Sequence, residues 1–219
     1  MGTGGLLIDI GASSLVAMKR AGVDPSSIGW IALTHLHGDH FAGLPFLVLD
    51  GQFNRRTRPL VVAGPAGVAA RVRTTMDVLF PGLSDVAQRF SIEFVELLDR
   101  HPVTVGPARV TPFAVVHASG AHSYALRVEY GGKVIAYSGD TEWTEALVEA
   151  SAGADLFVCE AYFFDKKVKY HLDWQTLAAN RARLSCRRLV VTHMSRDMLE
   201  RLDEVGVETA SDGLTVTVA

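Results

Sequence analysis

Apolar and polar positions alternate along the chain in a pattern that predicts strands and helices following one another. Short runs rich in Leu, Ile and Val indicate buried strands, and the segments between them carry apolar residues at helical spacing. In the first half, this pattern predicts strands at residues 6–10, 31–34, 60–62 and 92–97, and helices at 15–18, 41–49 and 67–80. Such alternation is typical of an α/β fold.

The second half begins with three strand-like segments, at residues 110–116, 124–130 and 133–137. The last two are joined by Gly131-Gly132, a pair typical of a two-residue hairpin turn. Further strands are predicted at 156–159, 189–192 and 214–218, and helices at 144–151, 174–184 and 197–202. No repeat, low-complexity stretch or Pro-rich linker interrupts the pattern, so we predict one domain over residues 1–219.

Composition narrows the possible functions. The chain of 219 residues is 48% hydrophobic and carries a formal net charge of −3, so binding of a long nucleic acid is not expected. The pairs Arg55-Arg56 and Arg187-Arg188 are expected to be solvated surface. No apolar stretch reaches the roughly 20 residues that cross a bilayer, so no membrane association is expected. Cys159 and Cys186 are predicted to be buried free thiols, which favours the cytoplasm.

The densest chemistry lies in the segment Thr34-His35-Leu36-His37-Gly38-Asp39-His40, directly after a predicted strand. Imidazoles and a carboxylate at this density suit one or two divalent ions such as zinc. A polar loop merely rich in histidine would need a hydrogen-bond partner for every side chain, which is costly. We therefore predict a metal site here, with Gly38 allowing the tight turn.

Three more ligand-type side chains follow predicted strands. His117 comes after residues 110–116, Asp140 after 133–137, and His193 after 189–192. In strand-then-loop architectures, functional side chains gather where strands end. Singly, each could be an ordinary terminal residue, but their recurrence favours a metal site.

These motifs, in this order, resemble the metallo-β-lactamase superfamily, and the closest likeness is to its ribonuclease Z-like branch. The resemblance runs from about Leu6 to the end of the chain. It implies an α/β fold of the four-layer αβ/βα sandwich type with a dinuclear metal site at one edge. It also implies seven ligands: His35, His37 and His117 for one ion, Asp39, His40 and His193 for the other, and Asp140 bridging both.

Two divalent ions roughly 3.5–4 Å apart can share a hydroxide and lower the pKa of water towards about 7. We expect two zinc ions, although manganese and iron tolerate the same ligands. The resemblance further assigns three residues to catalysis. Asp39 would orient the attacking hydroxide, His171 would steady the transition state or protonate the leaving oxygen, and Glu160 would orient His171. A solvent-exposed histidine at a helix start is the alternative for His171.

Other residues are expected to support the site. Asp9 resembles the acidic residue that braces the histidine loop, although a plain strand-end aspartate is the alternative. His122 could compete with His117 but is expected at the edge of the cleft, and His101 at the surface. Trp143 and the aromatic run 162–164 could line the pocket or pack in the core.

The chain departs from the resemblance in two respects. Only a predicted hairpin lies between His117 and Asp140, so a basic arm for transfer RNA is not expected there. Members of the family usually have further strands before the one that corresponds to residues 6–10. One sheet of this chain is therefore expected to lack those first strands. Either the sequence starts late, or a partner subunit in a homo-oligomer covers the exposed edge.

The sequence is compatible with three functions. The first is a metal-dependent phosphodiesterase acting on a small-molecule substrate. The second is hydrolysis of carboxylic esters, lactones or thioesters by the same dinuclear centre. The third is a non-catalytic metal-binding protein, which the open ligand set disfavours because structural zinc sites usually close with four ligands.

Overall fold

The computed structural model describes residues 5–218, which form two compact units. The first unit comprises residues 5–98 and 119–121, and the second comprises residues 99–118 and 122–218. In chain order, the first unit contains β1 (Gly5–Ile8), α1 (Ser14–Arg20), β2 (Ile28–Ala32), α2 (Gly38–Phe41), α3 (Leu44–Phe53), β3 (Leu60–Gly64), α4 (Val68–Leu79) and β4 (Ile92–Glu96).

The four strands of the first unit form a parallel sheet in the order β1-β2-β3-β4. Strands with helices on their faces are buried as near-continuous apolar runs, and β2 and β3 follow this pattern. Helix α4 adds Val68, Val72 and Met76 to the core of the unit. These residues are four apart and therefore share one face of the helix.

The second unit contains β5 (Val103–Val105), β6 (Ala108–Val115), β7 (Ser123–Tyr130), β8 (Lys133–Tyr137), α5 (Glu145–Ser151), β9 (Leu156–Glu160), α6 (Trp174–Ala179), β10 (Leu189–Thr192), α7 (Arg196–Leu199) and β11 (Glu208–Thr209). Its strands form one sheet in the order β11-β10-β9-β8-β7-β6-β5. The pairs from β8 to β11 are parallel and those from β5 to β8 are antiparallel. The carboxyl ends of β6, β8, β9 and β10 therefore lie at the same edge of this sheet.

The predicted hairpin is confirmed, because Tyr130 pairs with Lys133 across Gly131-Gly132. Both glycines have positive φ angles, +57° and +77°, which a two-residue hairpin turn of this kind requires. The predicted strand at 214–218 is wrong. This segment alternates apolar and polar residues but is mostly exposed and unpaired, and the edge strand is instead β11, which pairs with β10. Strand β5 was not predicted.

Helix α6 is shorter than predicted. It ends at Ala179, and a 3₁₀ turn at Arg181–Arg183 follows. Asn180 lies at the boundary, where its side-chain amide donates to the Thr176 carbonyl. An asparagine that bonds to the backbone of the last turn competes with continued helix.

Both cysteines are free and buried, as predicted. Burial raises the pKa of the Cys159 thiol far above its ordinary value, so this thiol is a packing group and not a nucleophile. Among the described residues, no helix combines the length and the apolar character needed to cross a bilayer. Residues 1–4, which precede the first predicted strand, lie outside the described residues.

The expectation that Arg56 is a solvated surface residue is wrong, because its exposed fraction is 3%. Its guanidinium donates to the carbonyls of Ile28 (2.6 Å), Arg58 (2.8 Å) and Pro59 (3.0 Å), and lies 5.0 Å from the centre of the Phe90 ring. Five N–H donors in a fixed fork can satisfy several carbonyls at once. Arg56 therefore ties together the segments around β2 and β3.

Replacing Arg56 with alanine should lower the free energy of unfolding by about 3 kcal/mol, because buried carbonyls lose charged donors. Arg56→Lys should recover only part of this loss, since an ammonium cannot reproduce the fork. Urea unfolding would measure both variants against Arg89→Ala, which removes an exposed arginine of the same unit. An Arg56→Ala protein as stable as the Arg89→Ala control would contradict a role in stability.

Candidate active site

In the first unit, the predicted ligands lie on the loop after β2 and on helix α2. The ring centres of His35 and His37 are 4.9 Å apart, and those of His35 and His40 are 4.0 Å apart. His35 has an exposed fraction of 0%. The Asp39 side chain, 67% exposed, places a carboxylate oxygen 3.6 Å from Nε2 of His40. The structure thus brings these four residues together.

Asp9 braces this loop through three contacts. Its Oδ1 accepts from the Thr34 backbone N–H (2.8 Å), and its Oδ2 accepts from the Thr34 hydroxyl (2.8 Å) and from Nδ1 of His40 (2.7 Å). Asp9 follows β1, which pairs in parallel with β2, so the two strand ends are adjacent. The role expected of Asp9 is therefore realised in the geometry.

This network fixes the tautomers of two imidazoles. A carboxylate only accepts, so Nδ1 of His40 carries a hydrogen. The Thr34 hydroxyl donates its hydrogen to Asp9. In the 3.0 Å contact between this hydroxyl and Nδ1 of His35, the hydroxyl oxygen is therefore the acceptor and Nδ1 carries the hydrogen. In both rings Nε2 is therefore the nitrogen that would bind a metal.

The glycines that the loop needs are Gly11 and Gly43. A Cβ on Gly11 would stand 2.1 Å from the Asp39 carbonyl oxygen, and one on Gly43 would stand 2.3 Å from the Gly11 carbonyl oxygen. The expected role of Gly38 is not supported, since a Cβ there would meet only the Ala42 side chain at an ordinary 3.8 Å. Close backbone packing, and not a tight turn at Gly38, sets the glycine requirement.

In the second unit, the remaining predicted residues gather at the carboxyl edge of the sheet. Nδ1 of His193 lies 3.3 Å from a carboxylate oxygen of buried Asp140. His117, Asp140 and His171 each offer a ligand atom within 4.8 Å of the others. Asp140 follows β8 and His193 follows β10, and these two strands run in the same direction. Strand β6 also runs in this direction, and His117 follows it.

Glu160 connects two of the histidines. It ends β9, has an exposed fraction of 0%, and lies between the strands that carry Asp140 and His193. Its Oε2 lies 3.1 Å from Nδ1 of His171 and 3.3 Å from Nδ1 of His193, and its Oε1 accepts from the Thr141 N–H. Glu160 is therefore placed to orient the ring of His171, and the solvent-exposed alternative for His171 is not observed.

Sequence reasoning missed the contribution of Tyr170. Its carbonyl accepts from Nδ1 of His117 (2.9 Å), and its N–H donates to Glu142 (2.8 Å). Tyr170 has a φ of +73°, in the left-handed region of backbone space. Asp9 (+58°) and His193 (+54°) lie in the same region. Such backbones cost about 1–3 kcal/mol each and concentrate at functional sites. Only the adjacency of Tyr170 to His171 could have pointed to it.

The remaining candidate residues fall into two groups, those away from the site and those beside it. His122 and His101 are exposed, and neither belongs to a group of potential metal ligands among the described residues. Trp143 packs against the core of the second unit, as does buried Phe164. Tyr162 differs, because its ring centre lies 4.9 Å from that of His171 and 5.2 Å from that of His193. One aromatic residue of the 162–164 run therefore borders the site.

A family model for the β-lactamase superfamily domain matches residues 6–194, across both units. The chain belongs to this superfamily. Membership makes the protein a metal-dependent hydrolase and implies divalent metal ions as its cofactors. The imidazole and carboxylate donors of each unit suit such ions. The metallo-β-lactamase fold and the likeness to ribonuclease Z are both confirmed.

Individual relatives agree with this assignment. A ribonuclease Z of Agathobacter rectalis is 27% identical over an alignment of 250 positions, gaps included, that covers 90% of this chain and 80% of that protein. The short form of human tRNase Z superposes with a TM-score of 0.78 at 22% identity, covering 100% of this chain and 90% of the other. A diphosphatase of the PhnP family gives a TM-score of 0.74 at 22% identity, covering 97% and 79%.

Replacing Asp9 with asparagine should weaken zinc binding by about 10- to 100-fold, the usual effect of losing a partner of a histidine ligand. Asparagine tolerates the left-handed backbone of this position. It offers at most one acceptor where the carboxylate serves three donors. Competition with a chromophoric chelator would measure the affinity.

Asp85→Asn, an exposed change in the same unit, is the matched control and should bind zinc like the natural protein. Equal affinities for the two variants would mean that the Asp9 network does not position metal ligands.

Proposed function

We propose that the protein is a phosphodiesterase whose seven predicted ligands hold two divalent ions, most simply zinc. The assignment follows the family resemblance: His35, His37 and His117 for one ion, Asp39, His40 and His193 for the other, and Asp140 shared. When bound, such ions activate water and stabilise negative charge on the ester. The tautomers deduced for His35, His40 and His117 support this assignment, since each presents Nε2.

The observation that carries the phosphodiesterase proposal is the Glu160–His171 pair. Nδ1 of His171 donates to Glu160 at 3.1 Å, so Nε2 is the atom that would face a substrate. A histidine held in this way can give a proton to a leaving alkoxide or stabilise charge on phosphate oxygens. Asp39, the most exposed of the predicted ligands in its unit, would orient the attacking water.

The relatives support a phosphate substrate. Their names refer to a ribonuclease and a diphosphatase, and both describe cleavage at phosphorus. We extend this to a small phosphodiester, because a net charge of −3 does not favour a long nucleic acid. A cytoplasmic location, a single domain over residues 1–219 and a possible homo-oligomer remain proposals, the first resting on the two free cysteines.

The proposal is tested with bis(p-nitrophenyl) phosphate, p-nitrophenyl acetate and a lactone, each with added zinc or manganese. We expect turnover of the phosphodiester. His171→Ala should lower kcat by about 10²-fold on a diester with an alkoxide leaving group. The loss should be much smaller on bis(p-nitrophenyl) phosphate, because p-nitrophenolate leaves without a proton.

His122→Ala, an exposed histidine outside the ligand groups, is the control and should keep full activity. Turnover confined to the acetate and the lactone would favour the carboxylic-ester alternative. Metal binding without turnover of any substrate would favour the non-catalytic one.

A further inference from the structure

Lysines are unevenly distributed in this chain. Of five lysines in the whole sequence, three lie within four residues, at Lys166, Lys167 and Lys169, while the remaining basic residues are almost all arginines. All three are exposed. We call residues 165–170 the lysine segment. Three cations this close repel one another, so the arrangement is unfavourable unless a ligand or an acidic neighbour compensates them.

The lysine segment is tied to the candidate active site at its carboxyl end. Its last residue, Tyr170, holds His117 through its carbonyl, and the next residue is His171. The N–H of His171 donates back to the Val168 carbonyl (3.2 Å), which closes the segment into a short loop. Lys169 is two residues from His171, so their Cα atoms are within about 7 Å of each other.

The charge of the segment is only partly compensated. Its one acidic residue, Asp165, pairs with Arg201 at 3.1 Å. Lys166 and Lys169 place their ammonium groups 4.9 and 4.8 Å from the ring centres of Phe163 and Tyr170, contacts that hold a cation without neutralising it. Glu142 attracts Lys169, but it also accepts the Tyr170 N–H. A positive patch therefore borders the site of an otherwise acidic protein.

We propose that Lys166, Lys167 and Lys169 bind a second phosphate group of the substrate, beyond the one that is cleaved. This inference rests on the proposed phosphodiesterase function. The cleaved diester carries a single negative charge, which the metal ions would already neutralise, so three further cations exceed its needs. An ammonium group is a compact point charge suited to phosphate, and a local patch can attract an anion despite the net charge.

A matched pair of substrates isolates this contribution. One is a dinucleoside monophosphate, and the other is the same dinucleotide with an added terminal phosphate, prepared in 5′ and 3′ forms. In the natural protein, one phosphorylated form should be cleaved with a kcat/KM at least about tenfold higher, and raising the salt from about 50 to 300 mM should shrink this ratio.

Replacing all three lysines with glutamine should bring the ratio close to one, mainly through KM. Replacing them with arginine should retain a ratio clearly above one, which separates charge from any effect on folding. Lys133→Gln is the control, because Lys133 starts β8 at the end opposite Asp140, and it should leave the ratio unchanged. Circular dichroism would confirm that the variants are folded.

The outcomes distinguish the two proposals. A ratio of one in the natural protein, with bis(p-nitrophenyl) phosphate still hydrolysed, would overturn the inference and leave the phosphodiesterase intact. Failure to cleave any diester would overturn the proposed function. Binding of a nucleoside 3′,5′-bisphosphate to the metal-free protein, measured by calorimetry, tests the lysines without catalysis. Equal affinities for the natural protein and the glutamine variant would overturn the inference there too.

Discussion

The conformation of the histidine loop depends on the hydrogen bonds of the Asp9 carboxylate. This carboxylate receives hydrogen bonds from the backbone and the hydroxyl of Thr34 and from the ring of His40, and through that hydroxyl it also sets the ring of His35. One partly buried carboxylate thereby fixes the orientation and the tautomer of two imidazoles. Because an imidazole binds a metal only through an unprotonated nitrogen, the loop's chemistry is decided by a residue at the end of a different strand.

In the second unit, hydrogen-bond acceptors also orient the histidine rings, but the acceptors are different groups. Tyr170 provides a backbone carbonyl for His117, and Glu160 provides a carboxylate oxygen for His171 and His193. Backbone strain accompanies this arrangement, since Tyr170 and His193 both have positive φ angles. Strain of this size persists only where the surrounding structure holds it. The parallel strands provide that support, because they bring several loops to one edge.

Sequence reasoning succeeded where the signal is local. Apolar runs located most strands, and ligand-type residues just beyond them, such as Asp140, identified the edge where the candidate site lies. It failed where long-range partners decide. Arg56 is buried because the carbonyl of distant Ile28 satisfies it together with the nearby carbonyls of Arg58 and Pro59. The role of Tyr170 depends on a backbone conformation that composition does not encode. Residues 214–218 have the alternation of a strand, but pairing requires a neighbour, and the edge was taken by β11.

Because two histidine rings share one carboxylate oxygen of Glu160, their orientations are coupled. His171 and His193 both contact Oε2, so neither ring can be re-aimed without disturbing the other. A substitution that moves His171, the proposed proton donor, is therefore expected to move His193, a predicted metal ligand, as well. We therefore expect substrate preference to change more readily through side chains outside this trio, because its two rings share one acceptor oxygen.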